Sequence, residues 1–424
     1  MKILGIETSC DESAVCLIEA RGNFDKDFHF QILGNSLISQ IAIHAQYGGV
    51  FPNLAKREHA KNLVPLLEQT LLQSVTSCQG DALPKKIPEE LQILLARERA
   101  LYEKLTVFLH KYGKPEIDSI AVTIGPGLEP ALWVGVNFAR ALALVWNVPI
   151  IAVNHMEGHL ILSMMEIQPH PNYSQILKNL RIEGSMRRIQ FPMLALLISG
   201  GHTELVLSER WQQYKILGAT RDDAVGEAFD KVARLLGLPY PGGPQISALA
   251  KFARNDADLT QKNAEKIKLP RPMLNSGDLD FSFAGLKTAV RRLIESEGLT
   301  LLRSDLETPL RSDIESDLDA FRMQVAREFE DAVTDVLVGK TMKAVDEYGI
   351  QTVVVGGGVS ANSYIRLLLA EALAKAGLPP PLVPAPGLAT DNALMIALAG
   401  YFRALNKEFA DPSELRANGN LKLV

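Results

Sequence analysis

The sequence predicts an α/β protein of two lobes, built from a duplicated unit in which a three-stranded meander precedes alternating strands and helices. The chain has 424 residues, of which 47% are hydrophobic, so it carries enough apolar side chains for two cores. The same order of strand and helix patterns begins at residue 2 and again at residue 192. Repetition of that order is the observation that predicts two similar lobes.

In the first half, short apolar and β-branched runs separated by acidic or glycine-containing turns predict strands at 2–7, 14–19 and 31–40. Helical periodicity then predicts a helix at 53–73. A strand at 119–123, a helix at 131–146 and a strand at 150–153 follow. The second half predicts strands at 193–199, 204–208, 214–219 and 352–355, with helices at 224–236 and 362–376.

These patterns divide the chain into four predicted parts. The N-terminal lobe is expected at 1–153, a metal-binding helix with a connecting insert at 154–191, the C-terminal lobe at 192–389, and a C-terminal helix and tail returning toward the cleft at 390–424. Polar or charge-rich stretches interrupt the pattern and are expected to be surface inserts, at 80–114 (with one helix at 89–112), 168–190 and 298–319.

Composition limits the function classes. Three cysteines, Cys10, Cys16 and Cys78, are too few for a disulfide framework, and their spacing is not that of a zinc finger. An acid at position 7 interrupts any signal-peptide core, and no apolar stretch is long enough to span a membrane, so a cytoplasmic protein is expected. A formal net charge of −5 gives no global attraction to nucleic acid. The arginines at 187–188, 271 and 291–292 are candidate basic patches, although such small groups are more often solvated surface.

A pair of histidines, His155 and His159, follows the apolar run that ends at residue 153. Four residues apart on a helix, two imidazoles lie on one face and can bind one metal ion. The pattern differs from the protease signature His-Glu-x-x-His, because the acid Glu157 comes two residues after the first histidine rather than one. A third ligand is suggested by Asp391, since Thr390 or Asp391 is expected to open an apolar helix. Such a set with open positions suits iron(II) or zinc.

Two strand-to-strand turns, one in each half, are typical of phosphate binding. The first runs through residues 5–13 and contains Asp11 and Glu12. The second contains paired glycines at 197–204. A third glycine cluster, at 355–362, predicts a surface that lies flat against a nucleoside, with Asn362 donating to a ribose or base edge and Ser360 capping the helix. Asp230 lies on a helix and Gly243 in a glycine turn, and either residue can equally serve packing alone.

Taken together, the motifs closely resemble the bacterial TsaD family of tRNA N6-adenosine threonylcarbamoyltransferases, once called glycoproteases. The matching segments occur in order along the chain and read Gly-Ile-Glu-Thr-Ser-Cys-Asp-Glu, His-Met-Glu-Gly-His, Ser-Gly-Gly-His-Thr, Gly-Glu-Ala-Phe-Asp-Lys, Tyr-Pro-Gly-Gly-Pro, Asp-Phe-Ser-Phe-Ala-Gly-Leu-Lys-Thr, Gly-Gly-Val-Ser-Ala-Asn and Thr-Asp-Asn-Ala.

The resemblance implies an actin- and Hsp70-like fold with a nucleotide cleft between two lobes. It implies transfer of a threonylcarbamoyl group from threonylcarbamoyl-AMP to N6 of adenosine 37 in tRNAs that read codons beginning with A. Its implied partners are a TsaB-like paralogue and a TsaE-like ATPase. By similarity, Fe²⁺, or else Zn²⁺, is held by His155, His159 and Asp391, and the adenylate is bound by Leu197, Ile198, Ser199, Gly200, Gly201, Asp230, Gly243 and Asn362. Asp11 and Glu12 are candidates for a base or a water-holding group.

Three other functions compete with this interpretation. A metalloprotease is disfavoured by the position of Glu157, and an ATPase or sugar kinase on the same fold by the two histidines and Asp391. A non-catalytic scaffold paralogue would be expected to lack both the histidines and the third glycine cluster.

Overall fold

A computed structural model describes residues 1–24, 26–74, 88–167, 182–256, 267–296 and 312–423. Cys78, residues 80–87 of the predicted insert 80–114, and the larger parts of the inserts 168–190 and 298–319 lie outside these residues. Unit 1 comprises Met1–His44, Val50–Ile189 and Pro384–Val424, and unit 2 comprises Ala45–Gly49 and Gln190–Val383. Within the described ranges, no helix is both long enough and apolar enough to cross a membrane.

Unit 1 contains a seven-stranded sheet in the order β5-β4-β1-β2-β3-β7-β6. Its strands are β1 (Lys2–Glu7), β2 (Glu12–Asn23), β3 (Lys26–Ser39), β4 (Ser119–Gly125), β5 (Ile150–Asn154), β6 (Met165–Ile167) and β7 (Glu183–Met186). Its helices are α2 (Pro52–Gln73), α3 (Glu89–Leu94), α4 (Arg99–Lys111), α5 (Glu129–Trp146), α6 (His155–Ser163) and, at the C-terminus, α12 (Ala393–Leu405), while the short α1 (Ile41–Ala45) ends at the first unit boundary.

Unit 2 contains a four-stranded sheet in the order β10-β9-β8-β11. Its strands are β8 (Met193–Ile198), β9 (Thr203–Arg210), β10 (Gln213–Ala219) and β11 (Thr352–Gly356). Its helices are α7 (Val225–Leu235), α8 (Gly242–Asn255), α9 (Ala284–Ser296), α10 (Ser312–Tyr348) and α11 (Ser363–Lys375), with a 3₁₀ turn at Gly358–Ala361.

The two sheets share one topology. In unit 1, β1 pairs antiparallel with β2, β2 pairs antiparallel with β3, and β4 pairs parallel with β1 on its other side. In unit 2, β8, β9, β10 and β11 repeat these relations in the same chain order. The duplicated α/β architecture predicted from the sequence is therefore confirmed.

Opposite faces of β1 pack against different helices because successive side chains of a strand alternate. Leu4 and Ile6 join a cluster with apolar residues of α2, α4 and α5. Gly5, whose added Cβ would lie 2.4 Å from Ala393 O, faces α12 on the other side. With no side chain at Gly5, the first turn of α12 lies directly against β1, and this close approach fixes the segment that carries Asp391.

The stretch at 89–112 differs from its prediction in two ways. It forms α3 and α4 rather than one helix, and the break contains Glu98, whose side chain is 2% exposed and lies 3.4 Å from Lys56 Nζ. Leu91, Leu101 and Leu105 are fully buried in the unit 1 core, so this part is not a surface insert. Likewise, the described end of the 168–190 stretch supplies β7 to the sheet.

Candidate metal centre and glycine loops

The candidate metal centre forms where three neighbouring strands end. β4 lies between β1 and β5 and runs parallel to both. Consequently Glu7 at the end of β1, Thr123 near the end of β4 and His155 directly after β5 lie at one edge of the sheet. The carboxyl edge of parallel strands is the usual location of sites in α/β proteins.

Asn154 fixes the helix that carries both histidines. Its side-chain Oδ1 accepts hydrogen bonds from Met156 N at 2.9 Å and Glu157 N at 3.4 Å, which caps the N-terminus of α6. His155 therefore begins the helix, and His159 follows one turn later. Their rings lie 4.7 Å apart in an edge-to-face arrangement, and both are buried.

Asp391 reaches the histidines from the segment before α12. The expectation that Thr390 or Asp391 opens this helix is wrong, because the N-cap is Asn392, which accepts from Met395 N at 3.1 Å. The side chain of Asp391 is therefore not the N-cap of this helix. Its Oδ1 lies 3.3 Å from His155 Nε2 and 3.1 Å from His159 Nε2.

These three residues meet the test for a shared metal ion. One ligand atom from each lies within 4.8 Å of the other two. Ligands about 2 Å from one tetrahedral ion are separated by roughly 3.3 Å. The two measured nitrogen-to-oxygen distances, 3.3 and 3.1 Å, match that separation. Two imidazoles and one carboxylate form a set suited to iron(II) or zinc.

Charge in the centre also favours a cation. Burial works to lower the pKa of His155, but the carboxylates of Asp391 and Glu7 outweigh it and hold that pKa well above its ordinary value. Burial would raise the pKa of Asp391, whereas the histidines hold it well below its usual range. Burial lowers the pKa of His159. The centre therefore favours a proton on His155, between its imidazole and the carboxylate of Asp391. A metal ion carries the same sign of charge and suits the same position.

The acidic pair after β1 is also buried. Asp11 and Glu12 are each 7% exposed. Burial, then the nearby charges of Asp391 and Asp11, raise the pKa of Glu12 to about 10. Asp11 and Glu12 both stay candidates for a base or a water-holding group.

Glu157, the acid of the histidine motif, serves packing between two helices. It is fully buried on α6 and accepts a hydrogen bond from Arg403 Nε of α12 at 2.6 Å. The ion pair thereby ties together the helices on either side of the candidate ligands. This geometry agrees with the expectation that Glu157 is not a protease base.

In unit 2, all three glycines among the predicted substrate-binding residues border open space. A Cβ added to Gly200, Gly201 or Gly243 would meet no atom within 4 Å. Ser199 organises the first two, since its Oγ accepts from Gly201 N at 3.3 Å and from His202 N at 3.1 Å. The N–H groups of Gly201 and His202 therefore bind within their own turn. Fewer N–H groups of this loop are available to a phosphate than the sequence predicted.

The remaining predicted residues of unit 2 have structural partners. Leu197 and Ile198 are fully buried in β8, so only their main chain can contact a ligand. Asp230 Oδ1 accepts from Gly242 N at 2.7 Å and so fixes the start of α8, which is a helix where the sequence suggested only a turn.

Asn362, rather than Ser360, caps α11. Its Oδ1 accepts from Tyr364 N at 2.9 Å, and its Nδ2 donates to Ser247 Oγ at 2.9 Å and to Glu330 Oε1 at 2.7 Å. The predicted capping role of Ser360 is wrong. Both amide protons of Asn362 are engaged inside unit 2, so donation to a ribose or base edge would require one of these bonds to open.

Sequence reasoning missed Glu7 and Thr123. Glu7 is a fully buried carboxylate that accepts from Thr123 Oγ1 at 2.6 Å and contacts His155 Nδ1 at 3.1 Å. The available signal was an acid at the end of the apolar strand Lys2–Glu7. Two of the candidate arginines, in contrast, are paired: Arg271 contacts Glu328 and Asp335, and Arg291 contacts Glu295.

Comparison with known proteins identifies the family. The family model TsaD, described as tRNA N6-adenosine threonylcarbamoyltransferase, matches residues 31–81 and 110–398. This chain belongs to the TsaD family. A protein of that name from Burkholderia ambifaria (strain MC40-6) is 40% identical over 405 residues, covering 95% of this chain and 92% of the relative. Another from Ralstonia pickettii (strain 12J) is 40% identical over 418 residues, covering 98% and 94%. The chain is accordingly a transferase.

Two solved structures that match this chain are more distant. Component A of (R)-2-hydroxyglutaryl-CoA dehydratase from Acidaminococcus fermentans is 13% identical with a TM-score of 0.42, covering 96% of this chain and 99% of that one. The ROK hexokinase from Thermus thermophilus is 14% identical with a TM-score of 0.38, covering 96% and 100%.

Proposed function

We propose that this TsaD-family transferase moves the threonylcarbamoyl group from threonylcarbamoyl-AMP to N6 of adenosine 37 in tRNAs that read codons beginning with A. The observation that carries the proposal is the convergence of His155, His159 and Asp391 on one point, inside a chain 40% identical to transferases of that name. Fe²⁺ is the preferred metal and Zn²⁺ the alternative. A bound ion would supply Lewis-acid polarisation and orientation of the substrate.

The reaction needs little activation because its donor is a mixed anhydride. The N6 amine attacks the carbamoyl carbon, a carbon–nitrogen bond forms, and the bond from that carbon to the phosphate oxygen breaks to release AMP. The amine loses one proton, for which Asp11 is the proposed acceptor. Glu12 is the alternative acceptor, or a group that holds a water molecule.

Adenylate binding is assigned to unit 2. The open spaces beside Gly200, Gly201 and Gly243 support it, because a ligand can approach a main chain that lacks side chains. Asp230 acts on the ligand indirectly in this proposal, by holding the main chain of Gly242 and hence its neighbour Gly243. Leu197, Ile198, Ser199 and Asn362 complete the predicted site.

Partners and location follow from the family. The relatives' name implies a tRNA substrate, and we extend that substrate to this chain. A TsaB-like paralogue and a TsaE-like ATPase are proposed partners, and the cytoplasm is the proposed compartment. Partners that provide additional positive surface would explain how a chain with a net charge of −5 engages tRNA.

The test is transfer of label from threonylcarbamoyl-AMP to unmodified tRNA by the metal-replete protein with its partners. His159→Ala and Asp391→Asn are expected to lose transfer, whereas His110→Ala, at an exposed histidine of α4, is expected to retain it. Elemental analysis of the same samples should show metal in the wild type and in His110→Ala only. Full transfer by His159→Ala would refute the metal assignment. ATP hydrolysis without transfer would instead favour an ATPase.

A further inference from the structure

Glu7 is a fully buried acid with an unusually complete set of contacts. Its Oε1 accepts from Ser9 N, and its Oε2 accepts from Thr123 Oγ1 at 2.6 Å and lies 3.1 Å from His155 Nδ1. No lysine or arginine is among these contacts, so the charged partner that they offer this carboxylate is the ring of His155. A buried carboxylate is costly unless it is paired and hydrogen-bonded, and the contact with His155 is therefore the one that points to a role besides packing.

We infer that Glu7 is the positioning residue of the metal centre: it fixes the ring orientation and tautomer of His155. This inference rests on the proposed function, since it presupposes that His155 binds a metal. A carboxylate can only accept, so the contact with Glu7 requires the proton of a neutral His155 to reside on Nδ1. The lone pair then resides on Nε2, the nitrogen that faces Asp391 at 3.3 Å. Metal-bound histidines commonly have such a carboxylate on their second nitrogen.

The sheet explains why this residue is a glutamate. Glu7 ends β1, whereas His155 follows β5, and β4 lies between them. Two strand spacings of about 4.8 Å separate the two main chains. Thr123 of the intervening strand donates to the same oxygen that contacts His155, which holds the long side chain across the gap. An aspartate would carry the same charge with one methylene group less reach.

Glu7→Gln removes this control while keeping the size of the side chain. A glutamine has one accepting oxygen and one donating nitrogen. If its oxygen accepts from Ser9 N, its NH₂ group faces His155 Nδ1 and favours the wrong tautomer. If its oxygen faces His155, its NH₂ group opposes Ser9 N–H. Either orientation weakens the site, and loss of such a partner typically costs 10- to 100-fold in metal affinity.

The experiment measures Zn²⁺ affinity of the full-length, metal-stripped chain against a chromophoric chelator, together with the visible spectrum of the Co²⁺-loaded form. Glu7→Gln and Glu7→Asp are expected to raise the Zn²⁺ dissociation constant about 10- to 100-fold and to alter the Co²⁺ spectrum. Glu98→Gln is the matched control, because it neutralises another buried acid of unit 1, between α3 and α4, whose contacts include Lys56 and no histidine ligand. Its affinity is expected to stay within about twofold of the wild type, since it orients no ligand.

Folding is monitored separately by the melting temperature of the metal-free proteins. Should Glu7→Gln fail to fold, Thr123→Val and Thr123→Ser replace it, and the valine variant alone is expected to weaken Zn²⁺ binding. The inference is overturned, and the proposed function left intact, if Glu7→Gln and Glu7→Asp both bind Zn²⁺ with wild-type affinity. Where Glu7→Gln does not fold, wild-type Zn²⁺ affinity in Thr123→Val has the same meaning. Absence of Zn²⁺ and Co²⁺ binding by the wild type would instead overturn the proposed metal centre and the inference with it.

Discussion

Acidification from pH 7 to pH 4.5 should lower the free energy of unfolding through one side chain, His59 of α2. The loss should be most of a total of about 3 kcal/mol. Burial lowers its pKa from 6.5 to about 4. The ring is fully buried, with Nδ1 2.7 Å from Ser13 Oγ and Nε2 3.0 Å from Cys10 O. These contacts hold the ends of the turn that contains Asp11 and Glu12, so the perturbation bears on the candidate site.

The magnitude follows from proton linkage. Because the folded pKa lies below the unfolded one, the unfolded chain binds the proton first as the pH falls. The stability associated with neutral His59 is therefore complete above about pH 6.5 and is lost progressively down to about pH 4. A difference of about 2.5 pKa units corresponds to about 3 kcal/mol.

Urea unfolding of the metal-free protein at several pH values tests this expectation. The wild type should lose about 2.4 kcal/mol more than His59→Gln between pH 7 and pH 4.5. Ser13→Ala is the control, since it removes a hydrogen bond but keeps the titrating ring, and its pH dependence should follow the wild type. A constant difference between wild type and His59→Gln across this range would refute the reasoning.

Two further predictions concern the glycines and the cap beside Asp391. Gly5→Ala should lower the free energy of unfolding by at least about 1–3 kcal/mol, because its Cβ would lie 2.4 Å from Ala393 O. Gly243→Ala should change that free energy by no more than about 1 kcal/mol, because its Cβ would meet no atom within 4 Å, but it should weaken threonylcarbamoyl-AMP binding. Thermal melts and adenylate titrations measure both, and an equally stable Gly5→Ala would contradict the packing argument. Asn392→Ala should cost about 1 kcal/mol and lower Zn²⁺ affinity, since the cap orders the residue before it. If Asn392→Ala is less stable but binds Zn²⁺ with unchanged affinity, the cap does not order the metal centre.

The strands were predictable because their patterns are local. Apolar runs bounded by turn residues placed β1, β4, β8 and β11 close to their observed bounds, and the repeated order of elements predicted the shared topology. The division of 89–112 into two helices was not predictable. The break contains the buried Glu98, and its contact with Lys56 joins residues that are distant in sequence. The four predicted domain ranges stay a prediction.

The candidate site shows the same limit. Spacing alone placed His155 and His159 on one face of a helix, but Asp391 lies 232 residues beyond His159 and was suggested only as an acid near the start of a predicted helix. Adjacent Asp391 and Asn392 are both good caps, and only three-dimensional contacts show which of them caps α12. Glu7 was overlooked because its contact with His155 spans 148 residues.

The most direct measurement of the central claim is the chemical identity of the product. Unmodified tRNA, threonylcarbamoyl-AMP, the metal-replete protein and its partners are combined, and the tRNA is digested and analysed by mass spectrometry. We expect one threonylcarbamoyl group on N6 of adenosine 37 with the wild type and none with Asp391→Asn. An unmodified adenosine 37 with the wild type, or equal modification by Asp391→Asn, would contradict it.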